Sequence, residues 1–516
     1  MSRLNVSLTA SRDSTSPSRR DFFRTVADGI YSAALTSLLC ADLYGEPNEL
    51  RPGAVPEPAS GPRREYDLKP RHSNFEPRAR AVIQLLMNGA PSQMDLFDPK
   101  PMLEKHAGQS FTDQAATETT ALADQRGLLP SPFKFAQHGN SGLWLSDAMP
   151  HLAGQVDDIA MIRSMHTTSP VHPLALCAFQ SGQIKTSRPT IGSWIVYGLG
   201  SENQNLPAFV VLDDPLGLPI NGVLNWQNGF LPAVYQGTRL RSTGDPILNL
   251  RPDQEDPPEL VQLGRRLMHR LDRAYSREHP SQPQVDTRIA TYELAARMQL
   301  QAGDALDLSQ ETEATLKMYG VGQGPALQGI QYRNPGPDNY ARRCIMARRL
   351  VERGVRYVQI CLNNQIWDNH AYLEDGIRGA CDRTDKPVAA LLRDLKQRGL
   401  LDSTLVVWGG EFGRLPNGQM SDGNKRGSLN IEGRDHNSKA FCLWLAGGGI
   451  KGGTVYGATD ELGFKVVENP VSVADFHATI LHQLGFDYKQ LYYELDGQRE
   501  RLTANAEARI VKEILA

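Results

Sequence analysis

Carboxylates and imidazoles are grouped at three points in the second half of the chain. They are Trp367-Asp368-Asn369-His370, Gly410-Glu411-Phe412-Gly413-Arg414 and Gly433-Arg434-Asp435-His436. Imidazole nitrogen and carboxylate oxygen are the donors of divalent-cation sites. Asp368, His370, Glu411, Asp435 and His436 are therefore expected to bind one or two divalent metal ions, with zinc, calcium, magnesium and manganese all open. A cation in such a site polarises an ester oxygen and lowers the pKa of a bound water. Arg414 follows Glu411 by three positions, and its planar fork of donors suits a phosphate or sulfate group. A single Asp-His pair is more simply a loop cap beside a surface histidine. Three such groups at equivalent strand ends favour a metal site.

Two further segments carry reactive side chains. Ser164-Met165-His166-Thr167-Thr168-Ser169-Pro170-Val171-His172-Pro173 offers hydroxyls and imidazoles, so Ser169 and His172 are candidates for a nucleophile or a general base. A polar, proline-containing loop explains that segment equally well. The turn Asn88-Gly89-Ala90-Pro91-Ser92-Gln93-Met94-Asp95 ends an apolar run and places Asn88 as a possible ligand.

The elements that must position these groups are short apolar runs punctuated by glycine. Strands are expected at 81–87, 355–360, 404–408 and 440–446, each a compact apolar stretch suited to burial on both faces. Helical periodicity covers 285–305 and 340–353, and a further helix is expected from Pro387 to Gly399. Alternating helices and buried strands predict an α/β fold with a mostly parallel sheet covered by helices. In such sheets ligands bind beyond the carboxyl ends of the strands, which is where the three metal-ligand groups lie.

Composition bounds the rest. The chain has 516 residues, 40% of them hydrophobic and 22% charged, with a formal net charge of −3. That balance suits a large globular core and gives nucleic acid nothing to follow. No apolar run approaches the roughly 18 residues of a membrane span. Six cysteines are scattered without a CxxC pair and read as buried thiols. Ser18-Arg19-Arg20-Asp21-Phe22-Phe23, ahead of a mildly apolar stretch, resembles a twin-arginine export signal, so residues 1–45 are expected to direct the protein to the periplasm or cell envelope. Residues 46–78, rich in Pro, Arg and Glu, read as a linker, and 79–516 as the folded domain.

Taken together, the strings LLMNGAPSQMDLFDPKP, LVERGVRYVQI followed by WDNH, TLVVWGGEFGRLP and GRDHNSKAFCLWLAGGGIKGGTVYGATDE resemble the sulfatase-like exported bacterial family called domain of unknown function fifteen-hundred-and-one. The resemblance implies an alkaline phosphatase-like fold and names no substrate; the expected activity is metal-dependent hydrolysis of a phosphate or sulfate ester, and the expected partner an anionic ester, with sulfated or phosphorylated carbohydrate among the candidates. It also implies that Asp368 and His370 stand at a metal's Asp/His pair and His436 at a late histidine ligand. Glu411 stands at a metal Asp, and Asn88 near the first metal Asp. If Ser181-Gly182 corresponds to the Thr-Gly closing the sulfatase signature, His172 falls at the nucleophile position. Phe412 replaces a usual histidine, and no Cys-x-Pro-x-Arg motif is present. The rival expectation is a catalytically degenerate envelope protein that binds carbohydrate or a sulfated polymer.

Overall fold

A computed structural model describes residues 67–111, 125–241, 257–278, 305–327, 334–419, 432–504 and 506–516, with positions 289, 292–294, 297 and 303. The expected export signal, most of the linker and most of the helix at 285–305 lie outside the described residues.

The strands of the principal sheet and of the small sheet beside the site are, in chain order, β1 (Ala81–Leu86), β2 (Gln125–Leu128), β3 (Ile159–His166), β4 (Phe209–Leu212), β5 (Thr238–Leu240), β6 (Tyr357–Cys361), β7 (Thr404–Gly409), β8 (Gly413–Gln419), β9 (Gly433–Asn437), β10 (Phe441–Ala446), β11 (Thr454–Tyr456) and β12 (Val471–Ser472). The main helices are α1 (His172–Ser181), α2 (Ile191–Leu199), α3 (Pro258–Glu278), α4 (Asp338–Glu352), α5 (Leu373–Gln397) and α6 (Val473–Gln483).

Among the described residues nine strands form the principal sheet, in the order β11-β3-β10-β7-β1-β6-β4-β5, with β12 also pairing β3. β1 lies parallel to both β6 and β7, β4 is parallel to β5 and β6, and only the β10 pairings are antiparallel. Every residue of β1, β4, β6, β7 and β10 is buried, as a sheet covered on both faces requires. This is the expected α/β architecture: a large, mostly parallel sheet between helices.

The chain joins this domain before residue 79. Arg71 N–H donates to Leu199 O at 2.8 Å, Ser201 N–H donates to Leu68 O at 2.8 Å, and Arg78 N–H donates to Gln483 O at 2.9 Å. The Pro/Arg-rich composition hides this docking because backbone atoms make it.

The expected helix at 387–399 is the second half of α5, which begins at Leu373 and runs through Pro387. Proline removes one helical N–H. Leu373, Ile377, Ala380 and Cys381, all buried on the stretch before it, hold the two halves as one element. Cys177, Cys344, Cys361, Cys381 and Cys442 are free and buried, as expected of structural thiols; Cys40 lies outside the described residues.

A small antiparallel sheet, β9-β8-β2, stands beyond the ends of β6 and β7. In it Arg414 lies opposite His436. The loop carrying Asp368 and His370 is anchored by Trp367, whose ring meets Trp408 edge-on at 6.0 Å between centroids. Trp408 in turn stacks on Trp444 at 6.0 Å. The core of the main sheet therefore fixes the loop that supplies two of the site's side chains.

Candidate metal site

Three chain segments come into backbone contact to build the site. Gly89, just past β1, has φ +104°, and a Cβ there would lie 2.8 Å from Gln365 C and 2.9 Å from the backbone nitrogens of Trp367 and Asp368. Gly433, at the start of β9, approaches the third segment: a Cβ would sit 2.1 Å from His370 C. Only glycine permits both approaches. Arg434 N–H closes the second contact by donating to Asn369 O at 2.9 Å.

At this junction His172, Asp368, His370 and His436 each offer one ligand atom, and the four atoms lie within 4.8 Å of one another. Asp368 Oδ1 is 3.2 Å from His172 Nε2, 2.9 Å from His370 Nε2 and 3.3 Å from His436 Nε2. His370 Nε2 and His436 Nε2 face each other at 2.9 Å. His172 is the first residue of α1, so a helix start rather than a strand end delivers the fourth donor.

The outer nitrogen of each ring is tied to an oxygen. His172 Nδ1 is 2.6 Å from Glu411 Oε1, His436 Nδ1 is 2.7 Å from Pro170 O, and His370 Nδ1 is 2.5 Å from Gln419 Oε1. A carbonyl or carboxylate oxygen can only accept, so the Nδ1 of His436 and of His172 must carry the proton. In the neutral rings the Nε2 lone pairs then all point inward, toward each other and toward Asp368. Bare lone pairs gathered this closely repel unless a cation sits among them. An imidazole held through its outer nitrogen is also the usual support for a metal-bound histidine. The donor set therefore fits a divalent ion of the kind that accepts three nitrogens and one oxygen.

Electrostatics agree. Burial would raise the Asp368 carboxyl, but Arg414 and the three imidazoles hold it far below the usual carboxylate range. Burial pushes the His172 imidazole down, yet Asp368 and Glu411 outweigh it and hold its pKa above the ordinary value. For His436, burial dominates and pulls the pKa to about 4, with Asp368 opposing and Arg414 and His172 reinforcing.

The remaining expected site residues take other places. Glu411 is fully buried and stands one layer behind the cluster. Its Oε1 accepts from Gly89 N–H at 2.9 Å and holds His172, while Oε2 is buried without a hydrogen-bond partner. Asp435 accepts from the His436 N–H at 2.8 Å and lies 4.0 Å from His370 Nδ1, behind the ligand atoms. Asn88 donates to Asn364 O, and its own Oδ1 is buried and unpartnered. Ser169 Oγ accepts from Val171 N–H at 3.2 Å, which turns the hydroxyl into its own loop.

Arg414 is 1% exposed and turned inward. It donates to the carbonyls of Gly89, Ala90, Trp367 and Arg434 and, at 2.7 Å, to Asp368 Oδ1. Its fork is consumed in bracing Asp368, where the sequence suggested an arm for an anion. Arg434 is likewise fully buried, against Asp95 at 2.7 Å. Phe412 fills the space beside the rings, with centroids 4.6 Å from His172 and 4.7 Å from His436.

Gln419, the Pro170 carbonyl and Gln93 were not foreseen. Gln93 pins both backbone groups of Arg414, at 2.8 and 2.9 Å. The one signal for Gln419 was its place on the strand that begins beside Glu411.

This is an α/β protein in which a loop, a helix start and a short strand gather a His/Asp cluster able to hold a metal ion. Residues 79–515 match the family described as "Protein of unknown function (DUF1501)", and the chain belongs to that family. No curated protein matches the sequence. Solved structures with some likeness include a sulfatase from Pseudoalteromonas sp., at 12% identity and TM-score 0.34, covering 80% of this chain and 69% of that one. A phosphonate monoester hydrolase from Silicibacter pomeroyi shows 12% identity and TM-score 0.30, with 71% of each chain covered. The TAB5 alkaline phosphatase shows 13% identity and TM-score 0.26, covering 72% of this chain and 92% of that one. Likeness at this level carries no argument about activity.

Proposed function

We propose that this protein is an exported, metal-dependent hydrolase of phosphate or sulfate esters, with His172, Asp368, His370 and His436 as the metal donors. The observation that carries the reading is the inward convergence of three Nε2 atoms on one carboxylate oxygen, each ring held from outside. A bound divalent ion supplies a Lewis acid for an anionic ester oxygen and a water of lowered pKa.

The chain's own groups do the positioning. Glu411 fixes the tautomer and tilt of His172, Pro170 and Gln419 do the same for His436 and His370, and Arg414 fixes Asp368. The side chains of His370, Asp368 and His436 are 30%, 20% and 18% exposed, so the cluster has an open rim where a substrate can reach it. A closed structural site would bury its ligands. The ester class rests on the family resemblance, and a sulfated or phosphorylated carbohydrate is the substrate class proposed with it.

One observation favours a second reading, in which the centre binds such a carbohydrate without turnover. Among the described residues, the Ser169 hydroxyl is turned into its own loop and the Arg414 guanidinium is spent on Asp368 and four carbonyls, so neither is presented to a substrate. Elemental analysis and an ester panel separate the two. The purified protein is expected to hold about one divalent ion per chain, and chelation to lower its melting temperature, because a ligand of the folded state alone stabilises that state. Aryl phosphate or aryl sulfate hydrolysis that disappears with the metal supports the hydrolase. Metal and anion binding without turnover selects the second reading. Metal-free protein with no chelator response removes the centre altogether.

Export is proposed from Arg19 and Arg20 ahead of Phe22 and Phe23. Arg19→Lys with Arg20→Lys is expected to leave the precursor in the cytoplasm, as fractionation would read. Undiminished export of the double variant would refute the twin-arginine route.

A further inference from the structure

β8 has an open edge where it carries Arg414. On one side β8 pairs with β9, and there Arg414 lies opposite His436. Among the described residues, β2 pairs on the other side only with Asn417 and Gln419. In an antiparallel pair the N–H and C=O of one residue point to the same side. Those of Arg414 turn from β9 toward the edge that β2 leaves open, in a part of the protein where β8 is buried throughout. Buried backbone groups need partners.

Gln93 is that partner. Its Oε1 accepts from Arg414 N–H at 2.8 Å, and its Nε2 donates to Arg414 O at 2.9 Å. A carboxamide carries an acceptor and a donor side by side, so it can replace a strand residue at one position. Gln93 is itself buried and begins the single helical turn Gln93–Leu96 that follows β1. The residue before Arg414 makes room for it. A Cβ on Gly413 would lie 2.5 Å from Gln93 Oε1 and 2.2 Å from Ala440 O. Glycine is required there by space, since Gly413 is not among the positive-φ glycines.

We infer that Gln93 is a positioning residue of the metal centre, its carboxamide standing in for the strand that β8 lacks beside Arg414. The inference rests on the centre proposed above and assigns this residue a part in it. Two donors depend on the contact by separate routes. Through its guanidinium, Arg414 reaches Asp368 Oδ1 at 2.7 Å. Through the ladder, Arg414 faces His436 as a non-hydrogen-bonded pair, the kind in which opposite residues stand closest. Pinning the backbone of Arg414 therefore sets the carboxylate and one imidazole together. A site of this kind works only when its donors are held to about 0.5 Å.

The test is titration of the full-length protein, stripped of metal, with cobalt(II). This ion accepts imidazole and carboxylate donors, and its visible absorption reports their geometry. Gln93→Met keeps the length of the side chain and removes both hydrogen bonds. Gln483→Met is the control, because Gln483 is also buried and also donates to a backbone carbonyl, that of Gly448 at 2.9 Å, beside the start of β7. Gln93→Met is expected to bind cobalt(II) roughly 10–100-fold more weakly than the parent, with a changed visible spectrum. Gln483→Met is expected to melt earlier and to bind cobalt(II) as the parent does. If Gln93→Met does not fold, Gln93→Glu carries the test. It keeps an acceptor for Arg414 N–H but turns a second oxygen toward Arg414 O, and it should also weaken the binding. A folded Gln93 variant with the affinity and spectrum of the parent overturns the inference and leaves the metal centre standing. Equal weakening in Gln483→Met also overturns it, by reducing Gln93 to general support of the fold. A parent that binds no cobalt(II) removes the centre itself, and this role for Gln93 with it.

Discussion

Asp368→Ala is expected to empty the proposed metal centre and to loosen Arg414 in one step. Asp368 Oδ1 is the single atom that all three imidazoles face, and it also accepts from Arg414 at 2.7 Å. Removing it deletes a donor and the only carboxylate in the cluster, so metal affinity is expected to fall by more than the roughly 10–100-fold that follows loss of an outer support. The variant also leaves a guanidinium that is 1% exposed without its counter-charge. Breaking a fully buried pair from one side costs about 3–5 kcal/mol. Asp368 is 20% exposed, and Arg414 keeps four carbonyl partners, so about 2–3 kcal/mol is the expected loss here. His370→Ala is the control. Its side chain is 30% exposed and carries no buried cation, so it should lose metal while melting like the chelated parent. Elemental analysis, with melting curves in chelator, reads both effects. Metal retained by Asp368→Ala, or the same apo stability as His370→Ala, would show that Asp368 does not join the two roles.

The sheet was legible because its strands are local statements. β1, β6, β7 and β10 are apolar runs bounded by turn residues, and a strand buried on both faces needs nothing else to be seen. The site was half legible for a related reason. Asp368, His370 and His436, singled out because metal chemistry restricts ligand types, do come together in one cluster. Which acid joins the cluster and which stands behind it is set by contacts between distant segments. Glu411 is held by Gly89 and His172, 322 and 239 positions away, and nothing local to Glu411 announces either. His172, expected as nucleophile or base, is brought into the cluster by the same distant packing. Arg414 misled because a guanidinium near a metal carboxylate suits an anion equally well on paper. The carbonyls of Gly89, Ala90 and Trp367 that absorb it belong to two other loops. α5 was cut in half because a proline is a stronger local signal than the buried face that carries the helix through it.

Asp385→Asn will flatten the dependence of stability on pH. Asp385 lies within α5 at 2% exposure and accepts from the backbone N–H groups of His151 at 2.7 Å and Leu152 at 2.9 Å. Burial outweighs those two bonds and pushes its carboxyl from 3.8 up to about 7. The sign follows from proton counting. Between roughly pH 4 and pH 7 the folded chain holds a proton on Asp385 that the unfolded chain has released, so stability falls as pH rises. The contribution is fully present below the unfolded value near 4 and is lost once pH passes 7. A shift of about three units corresponds to about 4 kcal/mol across that window, as an order of magnitude. Metal binding at the proposed centre would run the other way, because imidazole and carboxylate donors must be deprotonated. Both proteins should therefore be compared in chelator, where His172 and the other titrating groups contribute equally and cancel in the difference. Urea midpoints from pH 4.5 to 8.5 make the comparison. At low pH the variant should be the weaker protein, since its amide presents one oxygen to two N–H donors. Toward pH 8 the gap should close or reverse, because the parent alone must then bury a charged carboxylate. A gap that stays constant across the range would mean that Asp385 ionises like an exposed acid, and that its place behind His151 and Leu152 costs the fold nothing.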